Sequence, residues 1–96
     1  MSKQKKWCLY ILECRDNTLY TGITNDLSHR LAMHAAGKGA KYTRGRGPFK
    51  LRYCVDCDDH SAALKLELEI KSMSKAEKHY LCADYINNDV EVDSLA

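Results

Sequence analysis

WCLYILECRDNTLYTG, residues 7–22, is the stretch that decides the fold. Its first part, Trp7–Leu12, is almost wholly apolar, with aromatic and branched side chains, which predicts a strand covered on both faces. The RDNT segment that follows predicts a turn, because Asp and Asn tolerate left-handed backbone and bond back onto the chain. Leu19–Ile23 is rich in strand-forming residues. The stretch therefore predicts a β-hairpin with one tyrosine on each arm, Tyr10 and Tyr20.

The register of this hairpin decides whether the two tyrosines can share a site. Side chains alternate between the faces of a strand, so pairing Tyr10 with Gly22 puts both rings on one face. The same register pairs Leu12 with Tyr20 and leaves Arg15–Asn17 as the loop. A loop shorter by one residue would put the rings back to back unless a bulge restored the register. Gly22 also leaves room for close approach of backbone or ligand.

The composition indicates one small domain without a membrane span. The chain has 96 residues and a net charge of +2, and no run of about 18 apolar residues occurs. The basic start is followed by no apolar segment of signal-peptide length, so we expect a cytoplasmic protein. Residues 38–52 hold six of the fifteen lysines and arginines and no acid, whereas 84–93 is acidic. We expect a single domain over 1–96, with its core at about 7–82 and a polar tail at 87–96.

The five cysteines favour reduced thiols over a disulfide framework, because the number is odd and no secretory signal is seen. Cys54 and Cys57 form a C-x-x-C, and His60 follows three residues later. Zinc would need a fourth ligand, from Cys8 or Cys14. Structural zinc sites usually combine two short-spaced pairs, and only one is present. Packing as small apolar side chains is therefore favoured, and a zinc- or thiol-dependent interaction domain is the alternative.

A helix is predicted after the hairpin, because the N-cap residues Thr24–Asp26 precede an apolar stripe with helical spacing. Gly37 marks its end. Arg30 and His34 are four residues apart and share a helix face beside the stripe. They are either a solvated surface pair or a functional pair turned toward the hairpin. The stripe itself consists of Leu27, Leu31 and Ala35.

The segment 37–48 contains four glycines, one proline and four basic residues, a composition that excludes a regular element. Basic side chains, a tyrosine and free backbone amides suit phosphate contacts and base stacking. A solvated loop is the alternative. The candidates for nucleic-acid binding are Lys38, Lys41, Tyr42, Arg44 and Arg46.

Three further elements complete a β-β-α-β-α-α order, an α+β domain with a small three-stranded, mostly antiparallel sheet flanked by helices. The third strand, 49–55, alternates, with Lys50 and Arg52 opposite a buried face of Phe49, Leu51, Tyr53 and Val55.

A second helix buries Ala63, Leu66, Ile70 and Met73, with Glu67 at the margin of that stripe. The Glu67 carboxylate either forms a local hydrogen bond at the edge of the core or is partly buried and has a functional role. A third helix opens with a capping box, Ser74 to Glu77. It is expected to dock through Ala76, Tyr80, Leu81, Cys82 and Tyr85.

The polar residues from these separate elements fit phosphodiester hydrolysis better than nucleophilic thiol or serine chemistry, since no Ser or Cys has its own base and orienting group. A carboxylate can hold a divalent cation, an arginine can neutralise the phosphate, and a tyrosine or histidine can accept a proton from water.

The ordered series Tyr10, Tyr20, Gly22, Arg30, His34, GKGAKYT and Glu67 resembles the GIY-YIG nuclease superfamily, over roughly residues 7–81. The likeness is strongest to its small single-domain bacterial members and to the nuclease subunit of branched-DNA resolving complexes. The resemblance implies that Glu67 binds one metal ion, Mg²⁺ or Mn²⁺, and that Arg30 stabilises the phosphate. It makes Tyr10 and Tyr20 the active-site tyrosines, one of which is proposed to activate the attacking water, and puts His34 at a position that is histidine or tyrosine across the superfamily.

Two functions follow as expectations. One is a metal-dependent endonuclease acting on DNA, on branched or damaged structures. The other is a nucleic-acid-binding module of the same fold that turns over poorly alone and needs a protein partner for targeting. RNA stays open as a substrate, and no membrane is expected as a partner.

Overall fold

An antiparallel sheet forms the centre of the computed structural model, which describes residues 6–83 and 90–91. In chain order the elements are strand β1 (Cys8–Glu13), strand β2 (Leu19–Thr24), helix α1 (Leu27–Ala35), a 3-10 turn (Lys41–Thr43), strand β3 (Lys50–Asp56), helix α2 (His60–Lys71), helix α3 (Lys75–Ala83) and strand β4 (Val90–Glu91). The sheet order is β2-β1-β3-β4, so β2 is an edge strand. No helix among the described residues has the length and apolar character needed to cross a membrane.

The hairpin has the predicted register. Tyr10 pairs with Gly22, and Leu12 pairs with Tyr20. The Cys14 N–H donates to the Thr18 carbonyl at 2.8 Å, which closes the predicted three-residue loop. Its last residue, Asn17, has φ 69°, the left-handed conformation that Asn tolerates. Both tyrosines therefore lie on one face, as the shared-site hypothesis requires.

Strand β3 contains a β-bulge that the sequence analysis did not predict. Ile11 pairs with Tyr53 but Leu12 pairs with Leu51, so Arg52 is an inserted residue. One inserted residue reverses the alternation of side chains. Phe49 and Leu51 thus face α1, whereas Tyr53 and Val55 face α2. The prediction that all four share one face is wrong for this reason.

The sheet separates two cores. The α1-side core lies under α1, and the α2-side core lies under α2 and α3. Both predicted helical stripes pack where expected. The α1-side core contains Tyr10, Leu12, Cys14, Leu31, Phe49 and Leu51, with Tyr20, Leu27, Ala35 and Cys54 packed against it. The α2-side core contains Leu9, Ile11, Cys57, Ala63, Ile70 and Cys82, with Trp7, Leu19, Ile23, Tyr53, Val55, Ala62, Leu66, Met73 and Leu81 packed against it.

Helix α3 begins with the predicted capping box but docks through fewer residues than predicted. The Ser74 N–H donates to Glu77 Oε1 at 2.8 Å, and the Glu77 N–H donates to Ser74 Oγ at 3.1 Å. Cys82 is buried, and Tyr80 is 76% exposed. Two positions along a helix lie about 200° apart, so Cys82 and Tyr80 cannot both face the sheet. Ala76 is exposed as well, so the prediction is wrong for it and for Tyr80.

The predicted three-stranded sheet is confirmed, and the short strand β4 extends it by pairing with the start of β3. The rest of the predicted tail 87–96, and Tyr85, lie outside the described residues. All five cysteines are free thiols; Cys54 is half-buried and the other four are buried, so they pack as apolar side chains. Among the described residues, no three His, Cys, Asp or Glu side chains gather at one point that could hold a metal ion.

Candidate active site

A chain of hydrogen bonds runs through the α1-side core, from β1 through α1 to the 3-10 turn. Tyr10 Oη lies 2.8 Å from His34 Nε2, and His34 Nδ1 lies 2.8 Å from Thr43 Oγ1. The Thr43 hydroxyl donates its hydrogen to the Ala40 carbonyl at 3.0 Å. Its oxygen can therefore only accept from His34 Nδ1–H, which leaves His34 Nε2 to accept the hydrogen of Tyr10. Thr43 thus sets the direction of the whole chain.

The charge state of these groups agrees with that direction. Burial lowers the pKa of His34 to about 4, and the nearby positive charge of Arg30 acts in the same sense. Burial also raises the pKa of Tyr10, an effect that Arg30 partly offsets. At neutral pH the pair is therefore a neutral phenol that donates to a neutral imidazole.

Arg30 brings a permanent charge to both tyrosines. It lies one helical turn before His34 and interacts with the hydroxyl groups of Tyr10 and Tyr20. Burial alone would lower the pKa of Arg30, but the two phenols raise it above its ordinary value. The Tyr20 ring centroid lies 6.2 Å from that of Tyr10 and 5.3 Å from that of His34. The structure thus brings together four of the predicted site residues.

Two glycines allow this close packing. A Cβ on Gly22 would lie 2.7 Å from Tyr10 Oη and 2.9 Å from Tyr20 Cε2. A Cβ on Gly39 would lie 2.8 Å from His34 Cε1. Neither position accepts a side chain unless the rings move, so both glycines keep the tyrosines and the histidine in place.

Glu67 lies on α2, outside the hydrogen-bond chain. Its side chain is 17% exposed, and its Oε2 is 3.2 Å from Lys71 Nζ, one helical turn further on. Lys71 in turn lines a shallow cleft together with Tyr20. Among the described residues, no hydrogen bond or ion pair joins Glu67 to the other four predicted site residues, and the ammonium of Lys71 lies beside its carboxylate.

The loop after α1 is fixed to both the site and the hairpin turn. The Tyr42 ring stacks on Tyr20, with centroids 6.0 Å apart and planes at 26°. The Arg46 guanidinium lies 4.7 Å from the Tyr42 centroid and donates to Asp16 Oδ2 at 2.6 Å. Arg46 is therefore engaged within the protein. The other predicted basic contacts, at positions 38, 41 and 44, are exposed to solvent.

Residues 6–80 match the GIY-YIG catalytic domain. The chain belongs to the GIY-YIG family. GIY-YIG domains are nuclease domains that act on DNA.

Relatives of this GIY-YIG chain cover most of its length. A UPF0213 protein of Cupriavidus pinatubonensis is 51% identical over 86% of this chain and 92% of its own length. A UPF0213 protein of Oceanobacillus iheyensis is 56% identical over 73% of this chain and 81% of its own length. The solution NMR structure of a UPF0213 protein from Bacillus halodurans is 45% identical, with a TM-score of 0.54 over 81% of this chain and 83% of that one. The solution NMR structure of a protein from E. faecalis is 32% identical, with a TM-score of 0.58 over 86% of this chain and 90% of that one.

Sequence reasoning missed Thr43 and the positioning role of Gly39 in this GIY-YIG site. Both fall in the GKGAKYT segment, in which the basic and aromatic side chains were the predicted functional groups. A buried histidine needs partners for both ring nitrogens, and that requirement was the signal that could have found a hydroxyl nearby.

Proposed function

We propose that this protein is a divalent-metal-dependent endonuclease that hydrolyses phosphodiester bonds of DNA, with branched or damaged structures as substrates. The observation that carries the proposal is the buried chain Tyr10–His34–Thr43 with Arg30 beside it. A domain that only bound DNA would have no need for an oriented tyrosine–histidine pair inside its core.

The chain provides a path for a proton. Tyr10 donates to His34 Nε2 and is fully buried, so a remaining lone pair of its oxygen would accept a hydrogen from an attacking water only once DNA binding had admitted that water to the site. Tyr10 would pass its proton to His34 as it takes one from the water. Thr43 holds the opposite nitrogen protonated, so Nε2 stays available. Burial and the charge of Arg30 keep the pKa of His34 at about 4, so the protonated ring would need the negative charge of a bound phosphate nearby in order to form.

Arg30 suits the second requirement, which is to meet negative charge as it grows on the phosphate. It is half-buried, and the phenols of Tyr10 and Tyr20 interact with it, so it would lie close to a phosphate bound at these tyrosines. Tyr20 would contact the same phosphate.

Glu67 is the residue that would hold Mg²⁺ or Mn²⁺. Once the ion pair with Lys71 had opened, this single carboxylate would leave the other coordination positions to water and substrate oxygens, as Mg²⁺ prefers. When bound, the ion supplies Lewis-acid polarisation of the phosphate. The exposed Lys38, Lys41 and Arg44 would contact the DNA backbone. The free thiols suit the reducing cytoplasm.

A second candidate is a DNA-binding module that needs a protein partner for activity. The ion pair between Glu67 and Lys71 favours it, because that pair must open before a metal ion can bind.

A cleavage panel tests the proposal. Single-stranded, duplex, flap and four-way DNA, and RNA, are incubated with Mg²⁺ or Mn²⁺ and wild-type protein, Glu67→Gln or Glu69→Gln. Glu69 is the matched control, since it is an exposed glutamate on the same helix. We expect wild type and Glu69→Gln to cut a DNA substrate, and Glu67→Gln to bind that substrate without cutting it.

Equal cleavage by Glu67→Gln and wild type would show that the assigned metal role is wrong. DNA binding by the wild type with no cleavage of any substrate would favour the second candidate.

A further inference from the structure

A cleft lined by lysines opens at the edge strand β2, beside the candidate active site. Its volume is about 350 Å³, and a neighbouring hollow of about 170 Å³ shares the walls Leu19, Tyr42 and Lys78 with it. We call the two together the lysine cleft. Tyr20 forms one wall, and its ring also packs against His34, so the cleft adjoins the hydrogen-bond chain. The lysine cleft is lined by Thr18, Leu19, Tyr20, Thr21, Tyr42, Lys71, Lys75 and Lys78.

The charged side chains that the described residues contribute to this cleft are all positive. Lys71 comes from the end of α2, and Lys75 and Lys78 come from the first turns of α3. Lys71 pairs with Glu67, whereas Lys75 and Lys78 have no carboxylate partner in the part of the chain that the structure describes. No acidic side chain of residues 6–83 lines the cleft. Lysines gathered without counter-charge repel one another, and an anion bound between them would relieve that repulsion.

A buried hydroxyl in the same cleft also lacks a partner. Thr21 is 4% exposed, and its Oγ1 is the one buried side-chain polar atom without a hydrogen bond among the described residues. Leaving such a group unpaired costs about 1–3 kcal/mol. A ligand with acceptor oxygens would satisfy it.

We propose that the lysine cleft binds one nucleotide of an unpaired DNA strand next to the bond that is cut. Its phosphate would lie between Lys71 and Lys78, its oxygens would reach Thr21, and its sugar and base would lie against Tyr42, which is 45% exposed. A concave cleft of this volume can hold a single nucleotide but not a double helix. This inference rests on the proposed function and deepens it: the substrate is DNA with unpaired nucleotides beside the cleavage site.

Binding without metal tests the inference apart from cleavage. Fluorescence anisotropy of a labelled oligothymidylate and of a blunt duplex is measured in EDTA over a series of salt concentrations. The cleft variant is Lys75→Gln/Lys78→Gln. The control variant, Lys50→Gln/Lys65→Gln, removes the same charge from exposed positions outside the lysine cleft.

We expect the cleft variant to lose on the order of 10-fold in affinity for the single strand, and its salt slope to flatten by about 0.7 for each lost phosphate contact. The control variant should change far less, and duplex binding should respond less to the cleft variant. Equal losses in the two variants, or no single-strand binding by the wild type, would overturn the inference.

Thr21→Val gives a second readout. Valine has nearly the same shape without the hydroxyl, so it removes an unpaired buried polar atom. We expect the free energy of unfolding to rise and single-strand affinity to fall. Unchanged affinity in a folded Thr21→Val protein would contradict the role given to Thr21. If the lysine cleft variants weaken single-strand binding but the wild type cuts no substrate, the lysine cleft is supported and the nuclease proposal fails. If the wild type cuts DNA but neither Lys75→Gln/Lys78→Gln nor Thr21→Val changes single-strand binding, the nuclease proposal stands and the lysine cleft fails.

Discussion

Neighbouring residues of strand β1 are equally buried but face two different interiors. Leu9 and Ile11 point into the α2-side core, where they pack against aliphatic side chains such as Ile70. Tyr10, between them, points into the α1-side core and hydrogen-bonds to His34. The α2-side core is held by apolar contact, and the α1-side core adds a polar chain in which each member depends on the next.

This difference shows that burial alone does not identify the functional side of the sheet. An apolar core tolerates the loss of a contact in proportion to the volume removed. A buried polar chain responds to the loss of one partner, because the remaining donor or acceptor is left without a hydrogen bond. The two cores should therefore differ in how stability and activity respond to substitution.

The largest expected effect on stability lies in the α2-side core. Ile11→Ala removes fully buried methyl groups and should lower the free energy of unfolding by about 2–5 kcal/mol. The rate of DNA cleavage per folded molecule should stay near that of wild type, because Ile11 faces away from Tyr10. Chemical denaturation and a cleavage assay at low temperature measure the two quantities. A rate that falls with stability would show that the two cores are not separable.

A smaller effect on stability, with loss of activity, is expected at Thr43. Thr43→Val keeps the shape but leaves His34 Nδ1–H without its partner, so we expect a loss of about 1–3 kcal/mol. The Ala40 carbonyl still accepts the backbone N–H of residue 43 at 3.1 Å. The His34 tautomer is then no longer fixed, and the cleavage rate should fall. Thr43→Ser keeps the hydroxyl and should retain most of the rate. If the Thr43→Val and Thr43→Ser variants cleave DNA at similar rates, Thr43 has no part in the proposed proton transfer.

The smallest effect concerns the pH dependence of stability. The pKa of His34 is about 4 in the folded protein, below its ordinary value of 6.5, so on acidification the unfolded chain takes up this proton first. The free energy of unfolding should therefore fall as the pH drops, by about 1 kcal/mol between about pH 7 and pH 5.5. His34→Gln should lack this part of the decrease. An identical pH dependence in the variant and the wild type would mean that His34 is not held neutral.

The hairpin and the helix face were predictable because a fixed period governs both. Alternation along β1 and β2, with turn-forming residues between them, left few registers, and one of them put Tyr10 and Tyr20 together. Helical spacing likewise put Arg30 and His34 on one face. These four residues meet in the structure as the sequence indicated.

The bulge and the loop were not predictable in this way. Arg52 is inserted in a segment that alternates without interruption and contains no glycine, so the local pattern gave no sign of the change of face. Thr43 belongs to a loop in which no period relates position to direction. Its contact with His34 depends on how the whole loop folds back over α1, which is a property of the tertiary structure.

The loop that carries Tyr42 and Thr43 is fastened to the hairpin turn by a backbone hydrogen bond. The amide of Arg15 donates to the carbonyl of Arg46 at 2.8 Å, and the ion pair between Arg46 and Asp16 lies beside it. This amide hydrogen can exchange with deuterium from the solvent only when the loop lifts away from the turn. Thr43 sits three residues before Arg46, so the same motion would loosen the support of His34. The exchange rate of one amide in a surface turn therefore reports how often His34 loses the support of Thr43.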